Sequence, residues 1–146
     1  MIPLPLIFLL LLSIAIILLL VLRFLPKPPS SASSNLDVGS SMTIGSREIQ
    51  EDEVGTLATT AGLLAVLADG MGKEFGARIA SRTAVGTFLD LFRDYNAFDN
   101  PQYYYRKAFN AANRAILKEF GDEGYGAASV GAAMIQQNWL YYAVVG

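Results

Sequence analysis

Apolar and polar positions between residues 38 and 146 change period several times, and each change predicts an element. Leu63 to Ala68 is an unbroken apolar run of strand length, reading as a strand buried on both faces, and it stops abruptly at Asp69-Gly70. Val54 to Ala58 reads as the strand before it, joined through Thr59-Thr60-Ala61-Gly62 as a hairpin. Further upstream, Met42 and Ile44 are the apolar positions of a first strand, followed by a polar connection from Gly45 to Asp52. Beyond Gly72 the period becomes helical. Ala77, Ala80, Ala84, Phe88 and Leu91 form one stripe, widened by Ile79, Val85, Leu89 and Phe92, with Arg78, Arg82 and Arg93 on the solvated side.

A second helix is predicted from Asn100 as N-cap and Pro101 at its first position to a stop at Gly121. It buries Tyr105, Ala108, Phe109, Ala112, Ile116 and Phe120, and the Tyr103-Tyr104-Tyr105 run divides between core and surface. Ala127 to Ile135 and Trp139 to Val145 then form another hairpin around Gln136-Gln137-Asn138, with Trp139, the sole tryptophan, expected in the core. The last apolar strand runs to Gly146 without a closing turn, which predicts a domain cut short there.

The start of the chain has a different character. Ile2 to Leu22 carries no charged side chain, and its length matches the roughly 20 residues that cross a bilayer as a helix. Residues 1–25 are therefore expected to be one transmembrane helix. The alternative is a cleaved signal peptide, for which Ser30-Ser31-Ala32-Ser33 would mimic the cleavage site; no Lys or Arg precedes the run, which argues against it. Arg23 and Lys27 flank only the C-terminal end, placing that end in the cytoplasm by the positive-inside tendency. Residues 26–36 are a Pro/Ser-rich linker, and residues 37–146 are the folded domain.

Composition narrows the chemistry. The net charge is −2 with both signs interspersed, giving no case for nucleic-acid binding. There is no cysteine and no histidine, so disulfides, thiolate nucleophiles, the usual general base and the usual zinc ligands are excluded. Any metal must be held by oxygen, as Mg²⁺, Mn²⁺ or Ca²⁺ is. Two acidic clusters qualify, Glu51-Asp52-Glu53 and Asp69, and the hairpin between them would let them converge. Asp69-Gly70 reads equally as a simple turn or as a carboxylate held at a sheet edge to bind something.

Gly45-x-Arg47-x-x-Gln50-Glu51-Asp52 followed by Leu67-Ala68-Asp69-Gly70-Met71-Gly72 resembles the metal-dependent PP2C (PPM) family of serine/threonine protein phosphatases. Gly76-Ala77-x-x-Ala80-Ser81 resembles the start of that family's first long helix, and Tyr141 to Gly146 the run-up to its Gly-Asp-Ser-Arg segment. The resemblance implies an α+β fold, the N-terminal part of a PP2C-like αββα sandwich, here preceded by the transmembrane helix. It further implies that Asp69 bridges two Mn²⁺ or Mg²⁺ ions with help from the Gly70 carbonyl. Asp52 would bind the second ion, Glu51 would hold a metal-bound water, and Arg47 would clamp the substrate phosphate. The implied reaction is hydrolysis of phosphoserine or phosphothreonine in a phosphorylated protein substrate by a metal-activated water.

The chain departs from the family at three points, the first being that it ends before the family's later metal-binding aspartates, so this polypeptide is expected to supply only part of the two-ion site. Lys73-Glu74 stands where the family often has Gly-His, leaving Glu74 as the general-acid candidate. Gly126-Ala127-Ala128 replaces the usual Gly-Thr-Thr. These departures raise the alternative of a catalytically impaired PP2C-like binding or regulatory module at the membrane.

Overall fold

The structure is a computed structural model that describes residues 12–20, 23, 36–46, 48–73, 75–94, 96–121 and 125–146. The chain divides into two compact units, Met1–Ser30 and Ser31–Gly146. In the first, residues 12–20 are helical with exposed side chains. Among the described residues no helix is long and apolar enough to cross a membrane; most of the expected span Ile2 to Leu22 lies outside them.

In the second unit four described strands form one antiparallel sheet in the order β1 (Glu53–Ala58), β2 (Leu63–Gly72), β3 (Gly126–Gln136) and β4 (Trp139–Val145). Two helices, α1 (Gly76–Asp94) and α2 (Pro101–Phe120), connect β2 to β3. The β1–β2 hairpin closes where Thr59 and Gly62 exchange backbone hydrogen bonds, with the Thr59 hydroxyl donating to the Gly62 carbonyl at 3.2 Å. Asn100 caps α2 as its sequence predicts: its side-chain oxygen accepts from the Tyr103 N–H at 3.0 Å, and Pro101 follows. At the other end Gly121 adopts φ 60°, the left-handed region that glycine enters at little cost.

Alternation along β2 and β3 separates the two faces of the sheet. Leu64, Val66 and Ala68, with Val130, Ala132 and Met134 across from them, are buried beneath the helices. Small residues on α1 allow this packing to be close: Ala77, Ala80 and Ala84 are fully buried, and Phe88 and Phe92 fill the wider space beyond them. Tyr104 joins the two helices. Its ring packs edge-on against Phe88 and Phe92, and its hydroxyl donates to the Phe88 carbonyl at 2.9 Å. Tyr105 donates to the Tyr141 carbonyl at 2.8 Å and so ties α2 to β4.

Several expectations need correction, and the reasons are physical. Met42 and Ile44 belong to no strand; residues 36–44 run without secondary structure, because no described strand offers them a ladder of hydrogen bonds. β2 is not buried on both faces. Its other face is buried at Leu63 but exposed from Leu67 to Met71, and it continues into the exposed Tyr142 and Val144 on β4. Trp139 is 67% exposed at the start of the edge strand β4 and is no part of the core. The tyrosine run divides as expected, but Tyr104, with no exposed surface, is the most deeply buried of the three.

Burial disfavours the phenolate of both core tyrosines. It pushes Tyr104 well above the ordinary tyrosine range, with the neighbouring Tyr105 adding to the effect. Tyr105 is raised to about 12 by burial, partly opposed by a backbone hydrogen bond from Met134. Because the folded values lie above the unfolded value, the folded state retains protons that the unfolded chain has lost, and stability declines as pH rises from about 10 towards 12. Thermal melts followed by circular dichroism should therefore be flat up to about pH 9 and fall steeply above it. Tyr104→Phe should start about 1 kcal/mol lower at neutral pH and show a shallower alkaline decline.

Candidate functional site

The site grows out of the β1–β2 register. The paired register ends at Glu53 and Ala68; Asp52 and Glu51 lie just before β1, while Asp69 and Gly70 continue β2 beyond that last pair. The chain before β1 comes to lie against Gly70. A Cβ built there would lie 2.5 Å from the Glu51 carbonyl oxygen and 2.3 Å from that of Ala77 in the first turn of α1. Only a residue without a side chain lets β2 pass between those two backbones.

Alternation then sorts the acids. Glu53 lies in register with Ala68 on the helix side and pairs with Arg82 of α1 at 3.4 Å, away from the other carboxylates. Asp69 has the parity of Leu67 and Met71 and is exposed on the open face. Asp52, Asp69 and the half-buried Glu51 line one cavity of about 470 Å³, together with Gln50, Leu67 and the segment Thr43 to Gly45. Gly45 enters this wall with φ 62°, donating its N–H to the Thr43 hydroxyl at 3.4 Å.

Three of the residues singled out by sequence, Glu51, Asp52 and Asp69, thus share a cavity, and Gly70 adjoins it through the backbone. Arg47 and Glu74 lie outside the described residues. Leu67 was expected only as buried strand; it is 55% exposed and forms an apolar wall of the cavity. Its shared parity with Asp69 is the sequence signal that identifies it.

Two carboxylates brought to one place repel, and a hard cation relieves that repulsion with oxygen donors of this kind. The carboxylate oxygens of Asp52 and Asp69 fit such an ion in chemistry. Among the described residues no three Asp, Glu, His or Cys side chains gather into a ready-made metal cluster.

No family model matches the chain, and no curated protein matches it. Solved structures do. The Mycobacterium tuberculosis serine/threonine phosphatase PstP/Ppp superposes with a TM-score of 0.55 at 25% identity, over 68% of this chain and 42% of that one. The S. agalactiae serine/threonine phosphatase superposes with a TM-score of 0.61 at 23% identity, over 75% of this chain and 46% of its own, a likeness of fold alone. The chain spans less than half the length of either phosphatase. Its sheet and two helices are part of a PP2C-like α+β fold.

Since Gly70 lies between two backbones, Gly70→Ala should destabilise the protein by at least ~2 kcal/mol, read as a shifted denaturant midpoint. Gly86→Ala, at a helical position with no atom within 4 Å of the added Cβ, should be neutral or stabilising.

Proposed function

We propose that this chain belongs to a membrane-anchored, metal-dependent protein phosphatase that hydrolyses phosphoserine and phosphothreonine in protein substrates. The observation that carries this reading is the convergence of Asp52 and Asp69 on one cavity at the end of a PP2C-like sheet. Likeness to two serine/threonine phosphatases supports it from outside the chain.

In this reading Asp52, Asp69 and the Gly70 carbonyl hold Mn²⁺ or Mg²⁺, with Glu51 steadying the shell from behind. Such ions, when bound, acidify a water molecule and neutralise charge on the phosphoryl oxygens. Arg47 orients the phosphate through its planar fork of donors, and Glu74 is the one candidate for protonating the leaving alcohol. Ile2 to Leu22 anchors the protein as a single span, with Arg23 and Lys27 holding the domain on the cytoplasmic side.

A second reading, a binding or regulatory module at the membrane, is favoured by one fact. The sequence has no histidine, and Lys73-Glu74 stands where the family often places one.

Hydrolysis of p-nitrophenyl phosphate by the full-length protein, measured with and without millimolar Mn²⁺, separates the two readings. The phosphatase reading expects Mn²⁺ to raise the melting temperature and support turnover, and Asp69→Asn to abolish both. Arg47→Ala should weaken substrate binding and leave the Mn²⁺ stabilisation intact. Stabilisation without turnover would establish the binding module, and no response to Mn²⁺ would refute the metal site.

A further inference from the structure

Asp69 is also flanked on its β3 side. Asp69 pairs with Ser129 on β3, and the β3–β4 register, in which Val130 pairs with Val145, sets Gly146 beyond Ser129. Asp69 and Ser129 therefore stand opposite each other on the open face of the sheet, and Asp52 lines the same cavity as Asp69. Directly opposed residues of an antiparallel pair hold their Cβ atoms about 4.5–5.5 Å apart, close enough for a hydroxyl to reach a carboxylate.

Side chains on β3 alternate, so the identity of the hydroxyl-bearing position matters. Ala128 pairs with Gly70 and shares its side of the sheet, facing α1; a hydroxyl there would point away from the cavity. Ser129 lies on the same side as Asp69. The space beside it is kept open by Gly146, where an added Cβ would fall 2.6 Å from the Ser129 Oγ. The hydroxyl lies on the Gly146 side of Ser129 in this structure, and a change of χ1 rotamer is what the contact with Asp69 requires.

We propose that Ser129 is a positioning residue for the cation site: its hydroxyl donates to the Asp69 carboxylate and fixes the orientation in which that carboxylate meets the ion. Asp69 shares its cavity with a second carboxylate, and a neutral donor on its β3 flank holds it without adding charge. The proposal rests on the cation-site reading above.

Isothermal titration of the full-length protein in detergent with Mn²⁺ tests it without any measurement of activity. Ser129→Ala should weaken Mn²⁺ binding about tenfold, the lower end of what loss of a ligand's supporting hydrogen bond costs. Ser129→Thr, which retains the hydroxyl, should bind within about twofold of the parent. The melting temperature of metal-free Ser129→Ala should stay within about 2 °C of the parent, which distinguishes positioning from a general loss of structure. Unchanged Mn²⁺ affinity in Ser129→Ala, or a Thr variant as weak as the Ala variant, would overturn the proposal. A parent protein that takes up no Mn²⁺ would remove the cation site itself, and Ser129's role with it.

Discussion

The register of β2 is the constraint on which the rest depends. This strand is paired on both sides, and each of its residues faces either the helices or the open side. A slip of one position would exchange the two sets. Leu64, Val66 and Ala68 would lose their burial, and Asp69 would be driven under α1 among Ala77 and Ala80, where an unpaired carboxylate is very costly. Apolar packing against α1 thus locks the strand, and the exposed position of Asp69 at the cavity follows from it. The candidate acid is placed by apolar residues that take no part in the site.

The same economy appears at Gly70. Its missing side chain lets the backbone of β2 lie against both Glu51 and the start of α1, so the helix, the hairpin and the candidate ligands meet at one point. Tyr104 and Tyr105 hold the far side of the unit together, one through the Phe88 carbonyl within the helical layer and the other through Tyr141 in the sheet. Each places a polar hydroxyl on a backbone acceptor, which is what allows an aromatic of that size to be buried.

Much of this was legible in the sequence because it is local. Asn100-Pro101 and Gly121 marked the limits of α2, the change in period at Gly72 marked the entry to α1, and Thr59 to Gly62 marked the turn of the hairpin. The convergence of Asp52 and Asp69 followed from that hairpin. What was misread depends on partners that a one-dimensional pattern does not contain. Met42 and Ile44 alternate as a strand does but have no described strand to pair with. Leu67 and Trp139 are apolar, yet they stand on the open face or edge of the sheet and remain exposed. Ser129 carries no motif of its own, and only the register shows that it is the residue opposite Asp69.

The absence of native cysteine makes the central geometric claim directly measurable. If Asp52 and Asp69 face each other across the hairpin, their Cα atoms lie about 4.5–5.5 Å apart, within the range that a disulfide spans. The doubly substituted protein Asp52→Cys, Asp69→Cys should close an intramolecular disulfide under mild oxidation, seen by mass spectrometry as the loss of two hydrogens. The pair Asp52→Cys, Met71→Cys, displaced by two residues along β2, should close far more slowly. Equal rates for the two pairs, or faster closure of the displaced one, would contradict the register and the shared site built on it.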